Sequence, residues 1–212
     1  IDLSLSSLAY AKRKTEELSI SNIEYMQADI LDLEFLNRKF DVIESVGVLH
    51  HMDDPMAGWQ ILTDSLKPGG LMRIGLYSEI ARRHIVQIHD EIKKLNIDSS
   101  ADSMRLFRNR LISSEKQHHK LVSAYPDFYS MSMVRDLLFH VQEHRFTISQ
   151  IKQSLHKFGL IFCGFVDLKV VEVFNSKHLH KNLSFDLDKW AEFEKENPDS
   201  FAGMHQFWCQ KL

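Results

Sequence analysis

Glycine is scarce in this chain: there are eight among 212 residues, with one adjacent pair, Gly69-Gly70, and no Gly-x-Gly pattern anywhere. Cysteine is scarcer still. Cys163 and Cys209 are the only two, and both lie inside apolar, strand-like runs, so they read as buried thiols in a reducing compartment. Basic excess is also missing, since 26 Lys and Arg face 29 Asp and Glu for a net charge of -3. That balance argues against nucleic acid or a membrane surface as partner and leaves a small molecule or a protein as substrate. No apolar run approaches the roughly twenty residues that span a bilayer, and no signal peptide is visible. The expected location is cytoplasmic.

What is present suits one large domain, or a domain carrying an insertion, with an apolar fraction of 44% to build its core. The most informative stretch is Phe40 to Tyr77. Phe40-Asp41-Val42-Ile43-Glu44-Ser45-Val46 is a short, β-branched run that suits a strand buried on both faces. After a turn-like segment, Asp54 is placed to cap a helix with Pro55 at its first position. That helix is expected to bury Trp59, Leu62 and Leu66 and to stop at Lys67-Pro68-Gly69-Gly70. A second strand over Leu71 to Tyr77 completes a βαβ unit, which implies a parallel sheet.

Upstream, Leu5, Leu8, Ala11 and Leu18 form a helical stripe between Ser4 and Leu18, and Asn22 to Ala28 alternates like a strand. Downstream, Thr147 and Gln150 spell a capping box with Phe146 stapling onto Ile151. Gly159 supplies the stop, and Leu160 to Val166 follows as a strand. A short helix over Asp188 to Glu196 ends at Asn197-Pro198, and Met204 to Gln210 is a last strand. Between these halves, Ala81, Ile85, Ile88, Ile92 and Leu95 mark a long helix, Leu106, Phe107 and Leu111 a second, and Met131 to His140 a third. The expected division is a core of residues 1–77 and 146–212 with a helical insertion, 78–145, that covers the site and shapes a substrate pocket.

Phe-Asp-Val-Ile, Val-Leu-His-His-Met and Leu-Lys-Pro-Gly-Gly-Leu, in this order and spacing, resemble strands four and five of the class I methyltransferases that use S-adenosylmethionine. Thr147 to Val166 resembles the lead into their strand six, and Met204 to Gln210 their antiparallel last strand beside strand five. The resemblance implies an α/β, Rossmann-like methyltransferase sheet and S-adenosylmethionine as methyl donor. It places Asp2, with Leu3 beside it, at the end of strand two, where the acidic residue binds the ribose hydroxyls. It places Asp29 after strand three, accepting from the adenine amino group, with Ile30 packed by the ring and Ser45 and Val46 lining the cofactor. A carboxylate offers two acceptor oxygens, which suits a vicinal diol or an exocyclic amine, although capping or turn roles are the plain alternative for both aspartates.

The family's first strand and glycine-rich loop have no counterpart in these residues. Ile1-Asp2-Leu3-Ser4 reads like the end of a strand and the cap of a helix, so an amino-terminally truncated methyltransferase is expected, inactive or impaired as it stands. An exposed strand edge then invites homodimerisation. The phrases Gly-Leu-Tyr-Ser-Glu-Ile-Ala-Arg-Arg and Phe-Ala-Gly-Met-His-Gln-Phe-Trp resemble bacterial methyltransferases that follow tetratricopeptide repeats. The alternative from another class is a noncatalytic interaction domain on a degenerate methyltransferase fold.

For catalysis, His51 or His50 just past the fourth strand is the expected base, because a neutral imidazole accepts a proton near pH 7. Tyr125, Tyr129 and His140 are expected to line the substrate pocket. Glu79, Arg82 and Arg83 either meet a substrate or solvate a helix end. His140-Val141-Gln142-Glu143-His144 matches the H-x-x-E-H zinc-peptidase pattern, a remote alternative because Arg145 and Phe146 end the helix it needs and no third ligand is marked. No metal is expected. The His118-His119 pair and His178-x-His180 read as surface residues.

Overall fold

The computed structural model describes residues 1–140, 142–177 and 181–212. Strand β1 (Phe40–Val46) and helix α2 (Pro55–Ser65) form as their sequence dictates, following helix α1 (Leu5–Glu17) near the start. Asp54 Oδ1 accepts from the backbone N–H groups of Met56 and Ala57 at 2.9 and 3.1 Å, which closes the first turn of α2. Strand β2 spans Leu66–Leu76 and so begins earlier than its apolar run suggests. Leu66 is its first residue and not the last of the α2 stripe. It pairs with Phe40, while Leu71 pairs with Val42, so Lys67 to Gly70 bulge out of the ladder on the positive φ of Gly69.

Helix α7 (Ile148–Lys157) carries the complete capping box and ends two residues before Gly159, whose φ is 65°. Strand β3 (Leu160–Phe165), helix α8 (Leu168–Lys177), helix α9 (Leu187–Glu196) and strand β4 (His205–Lys211) follow. The sheet order is β1-β2-β4-β3. β1 and β2 run parallel and β4 lies antiparallel between β2 and β3. Trp59 from α2 packs at ring-centroid distances of 5.5 Å from Phe158 and 6.2 Å from Phe207, joining helix, turn and last strand in one core.

Several expectations need correction. β1 is an edge of this sheet and not buried on both faces, for Val42 is 52% exposed. The 22–28 segment makes a single parallel bridge, Gln27 to Asp2, in place of a strand; alternation without a ladder on either side does not hold an extended run. The α1 stripe buries no residue among those described. Helix α8 was not marked by any sequence signal considered above. Cys209 is buried, whereas Cys163 is only half-buried because it is the extra residue of a bulge opposite Cys209 and Trp208.

Among the described residues between Ser78 and Arg145 lie the helices α3 (Arg83–Lys94), α4 (Ala101–Ile112), α5 (Gln117–Ser123) and α6 (Met131–Leu138). They enclose a second apolar cluster built from Ile85, Ile88, Phe107, Leu111, Phe128 and Val134, among others. The chain returns to the sheet by a parallel bridge between Phe146 and Ser78, with Phe146 N–H donating to the Tyr77 carbonyl at 2.8 Å. Gly75 in β2 has no room for a side chain. A Cβ there meets Val46 Cγ1 and Met204 Sδ at 2.8 Å and the Val46 backbone at 3.2 Å. Gly75→Ala is therefore expected to destabilise the protein by about 1–3 kcal/mol, read as a lower urea midpoint at unchanged slope; an unshifted midpoint contradicts this packing.

Candidate active site

The carboxyl ends of β1 and β2 are where an open α/β sheet receives ligands, and the histidine pair sits there. Gly47, at φ 78°, turns the chain out of β1, and a 3₁₀ turn over Leu49–His51 places the two imidazoles in different surroundings. His50 is fully buried. Its ring stacks on Tyr77 at 3.8 Å and meets the edge of His51 at 4.4 Å. Desolvation, followed by the charges of His51 and Arg82, lowers its pKa to about 3. The Gly75 carbonyl approaches the ring and offsets this in part, but outside hydrogen-bond geometry, so neither ring nitrogen has a hydrogen-bond partner among the described residues.

His51 is half-buried, and burial again lowers its pKa. Its Nδ1 lies 3.1 Å from the Gln142 carbonyl, an acceptor only, so Nδ1 carries the proton and Nε2 keeps the lone pair. The His140 ring packs 4.0 Å from it. The two histidines that the sequence could not separate are thus divided by the fold. His51 has the arrangement of a base, and His50 that of a buried packing residue.

The strap that holds His51 is anchored by charge. Arg82 Nε and Nη2 donate to Glu143 Oε1 and Oε2 at 2.9 and 2.6 Å, with both side chains 4% exposed or less. The guanidinium also lies 3.6 Å over the Tyr77 ring. Arg82 stands at the start of α3 with its side chain buried in this pair, so it does not solvate that helix end, the plainer of the two roles expected for it. Arg83 pairs with Asp199 and Glu79 with Arg145. Burial raises the Tyr77 pKa, keeping the phenol protonated. Tyr77 and Glu143 were not singled out as site residues. The legible signal was the position of Tyr77 at the end of a parallel strand, whereas nothing local pairs residues 82 and 143.

A second buried network lies alongside. Ser78 Oγ donates to Glu194 Oε1 at 2.6 Å, and His205 Nε2 stands 2.8 Å from the same oxygen. The described residues of the H-x-x-E-H run, His140 and Gln142 to His144, are non-helical after the end of α6 and are not grouped as metal ligands: Glu143 is consumed by Arg82, and His140 Nδ1 accepts from the Gln142 N–H at 3.3 Å. Val141 and His178-x-His180 fall outside the described residues.

Asp2 and Asp29 are brought to the same end of adjacent segments by the Asp2–Gln27 bridge. Each has one described local bond, Asp2 Oδ1 from the Ser4 N–H at 2.7 Å and Asp29 Oδ1 from the Leu31 N–H at 2.9 Å, leaving Oδ2 of each without a described partner. Leu3 is exposed, Ile30 packs against the main core, and Val46 is half-buried. Ser45 is buried with its hydroxyl unpaired. A cavity of about 560 Å³ is lined by His89, Lys93, His140, Glu143 and Arg145 with apolar neighbours. His140 connects it to His51. Tyr125 packs against the second apolar cluster and Tyr129 is 70% exposed; neither lines this cavity.

Residues 1–74 match the methyltransferase domain family. Over 99% of its length the chain superposes on PKMT2 from Rickettsia typhi, with a TM-score of 0.64 at 17% identity, and of 0.63 at 18% identity for that protein in complex with AdoHcy. The fold is thus the α/β one of PKMT2, with its Rossmann-like sheet. An uncharacterized protein of Synechococcus sp. is 28% identical in an alignment 209 positions long that covers 91% of this chain. The chain spans 49% of that relative and 42% of PKMT2. Among the described residues no helix is long and apolar enough to cross a membrane.

Two outcomes follow from the site's electrostatics. Glu143→Ala leaves Arg82 buried and unpaired and is expected to cost about 3–5 kcal/mol, whereas the double change Arg82→Met with Glu143→Leu recovers most of it in chemical denaturation; equal losses for single and double variants contradict the pairing. His50, held neutral to about pH 3 when folded, takes up a proton near pH 6.5 when unfolded. Between those values the unfolded chain binds the extra proton, so stability falls on acidification by up to about 1.4 kcal/mol per pH unit. The lowered pKa values of His51 and His89 act in the same direction. His50→Leu is expected to make the decline from pH 6.5 to 4 shallower, and an unaltered slope in urea unfolding across that range excludes His50 as its source.

Proposed function

We propose that this chain belongs to a cytoplasmic enzyme that transfers a methyl group from S-adenosylmethionine to an acceptor bearing an ionisable nucleophile. The observation that carries the reading is the methyltransferase-domain match of residues 1–74, joined to a sheet in which the last strand is antiparallel beside β2. The nucleoside end of the cofactor fits the residues present. Asp29 and Asp2 each keep a carboxylate oxygen for an amine or a diol, and the buried, unpaired Ser45 hydroxyl lies at the end of β1. For the methionine end, the 212 residues offer no glycine-rich loop.

When bound, the cofactor supplies an electrophilic methyl on a sulfonium. The chain's own work is orientation and proton removal. His51 Nε2, its tautomer set by the Gln142 carbonyl, takes the proton that the acceptor loses as it attacks. His50 and Tyr77 exclude water beneath it. The cavity reached through His140 is the proposed acceptor pocket. Its Lys93 and Arg145 line one small-molecule-sized space, although a protein side chain is also compatible with its volume of about 560 Å³. Helices α3 to α6 serve as the substrate cap in this reading.

Calorimetric titration of S-adenosylhomocysteine into the full-length protein tests it. Binding is expected, weakened about tenfold or more in Asp29→Ala, as loss of one hydrogen bond to a charged acceptor requires. No binding by the full-length protein refutes the methyltransferase reading, and binding unaffected by Asp29→Ala refutes the assignment of that carboxylate.

A further inference from the structure

A second group of metal-competent side chains lies away from this site, between α3 and α5. Glu91 on α3 faces His118 and His119 in the first turn of α5. Glu91 Oε1 stands 3.0 Å from His118 Nε2 and Oε2 stands 2.9 Å from His119 Nε2. Lys116 Nζ also donates to Glu91 Oε1, at 2.7 Å. The three ligand atoms of Glu91, His118 and His119 all lie within 4.8 Å of one another. The histidine pair is not on the surface as its sequence suggested: His119 is 1% exposed and His118 19% exposed at its side chain. Seven residues before Glu91, on the same face of α3, His84 has a buried Nε2 with no partner among the described residues.

We propose that Glu91, His118 and His119 bind a divalent transition-metal ion of the zinc class. Two imidazole nitrogens and one carboxylate oxygen form a donor set that zinc takes with a fourth position left for water. Bonds of about 2.0–2.1 Å in a tetrahedral site separate ligand atoms by about 3.4 Å. The two nitrogen-to-oxygen distances, each to a different oxygen of Glu91, need to open by only a few tenths of an ångström, and side-chain rotation closes the remaining separations, none of which exceeds 4.8 Å. Magnesium and calcium are disfavoured, because both take oxygen ligands almost exclusively.

The protons balance simply. In the metal-free arrangement each imidazole donates from Nε2 to Glu91. On binding, each neutral ring carries its proton on Nδ1 and presents the Nε2 lone pair to the ion. Lys116 is the placeholder: its ammonium supplies the positive charge that Glu91 otherwise lacks, and its half-exposed side chain withdraws into solvent when the ion arrives. The ion then joins the third and fifth helices across the edge of the second apolar cluster. This site is separate from the proposed cofactor and acceptor sites and does not depend on them.

The test is calorimetric titration of zinc chloride into the chelator-treated full chain, with thermal unfolding as a second readout. One equivalent is expected to bind tightly, with affinity reduced at least tenfold in Glu91→Gln and in His118→Ala and increased in Lys116→Gln. Zinc is expected to raise the unfolding midpoint of the wild type and not of His118→Ala. His118 and Lys116 are partly exposed, so these two variants keep the test readable where Glu91→Gln does not fold. No tight equivalent in the wild type, or equal affinity in the wild type and His118→Ala, overturns the proposal and leaves the cluster as hydrogen bonds between helices.

Discussion

Burying a guanidinium is the demand around which the active-site end of this protein is arranged. Arg82 follows the second strand of the βαβ unit and has almost no contact with solvent. A cation in that position is tolerable only if a carboxylate is delivered to it, and Glu143 arrives from the far end of the helical segment. That delivery fixes the return path of the chain. The same strap then gives the Gln142 carbonyl to His51, the His144 N–H to the His50 carbonyl and the Phe146 bridge to the end of β2. One ion pair thereby ties the helical segment to the sheet and sets the tautomer of the proposed base.

Adjacent histidines illustrate how position, and not residue type, assigns chemistry. Both rings lose basicity through burial, but in different degrees and with different partners. The His50 ring is sealed under Tyr77 with no hydrogen bond to either nitrogen among the described residues, as an aromatic spacer is. His51 is directed by a carbonyl and adjoins His140, through which the polar cavity is reached. A single 3₁₀ turn separates these roles.

The helical segment has its own apolar cluster, and its buried charged contacts include the Arg82–Glu143 pair toward the sheet and the Glu91–His118–His119 group between helices. Beside them, the Ser78–Glu194–His205 network joins the end of β2 to α9 and β4. Buried polar groups of this kind demand specific partners, since an unsatisfied one costs more than an apolar contact returns. They therefore hold the segment in one placement where apolar packing alone tolerates sliding.

Local signals sufficed wherever the physics is local. Asp54-Pro55 and the Thr147–Gln150 box fixed two helix starts, Gly159 a stop, and the apolar runs of β2, β3 and β4 the sheet members, because caps and turns depend on residues a few positions apart. The sequence by itself also determined the class of fold, through short phrases whose order follows the parallel sheet. Tertiary structure alone decided the rest. The 22–28 run did not become a strand, because a ladder needs a partner that alternation cannot supply. Which histidine stays neutral and buried, which carboxylate meets Arg82, and that His118 and His119 turn inward toward Glu91 all follow from residues 27 to 91 positions apart. Desolvation and charge pairing act through space, so neither leaves a mark that spacing along the chain can reveal.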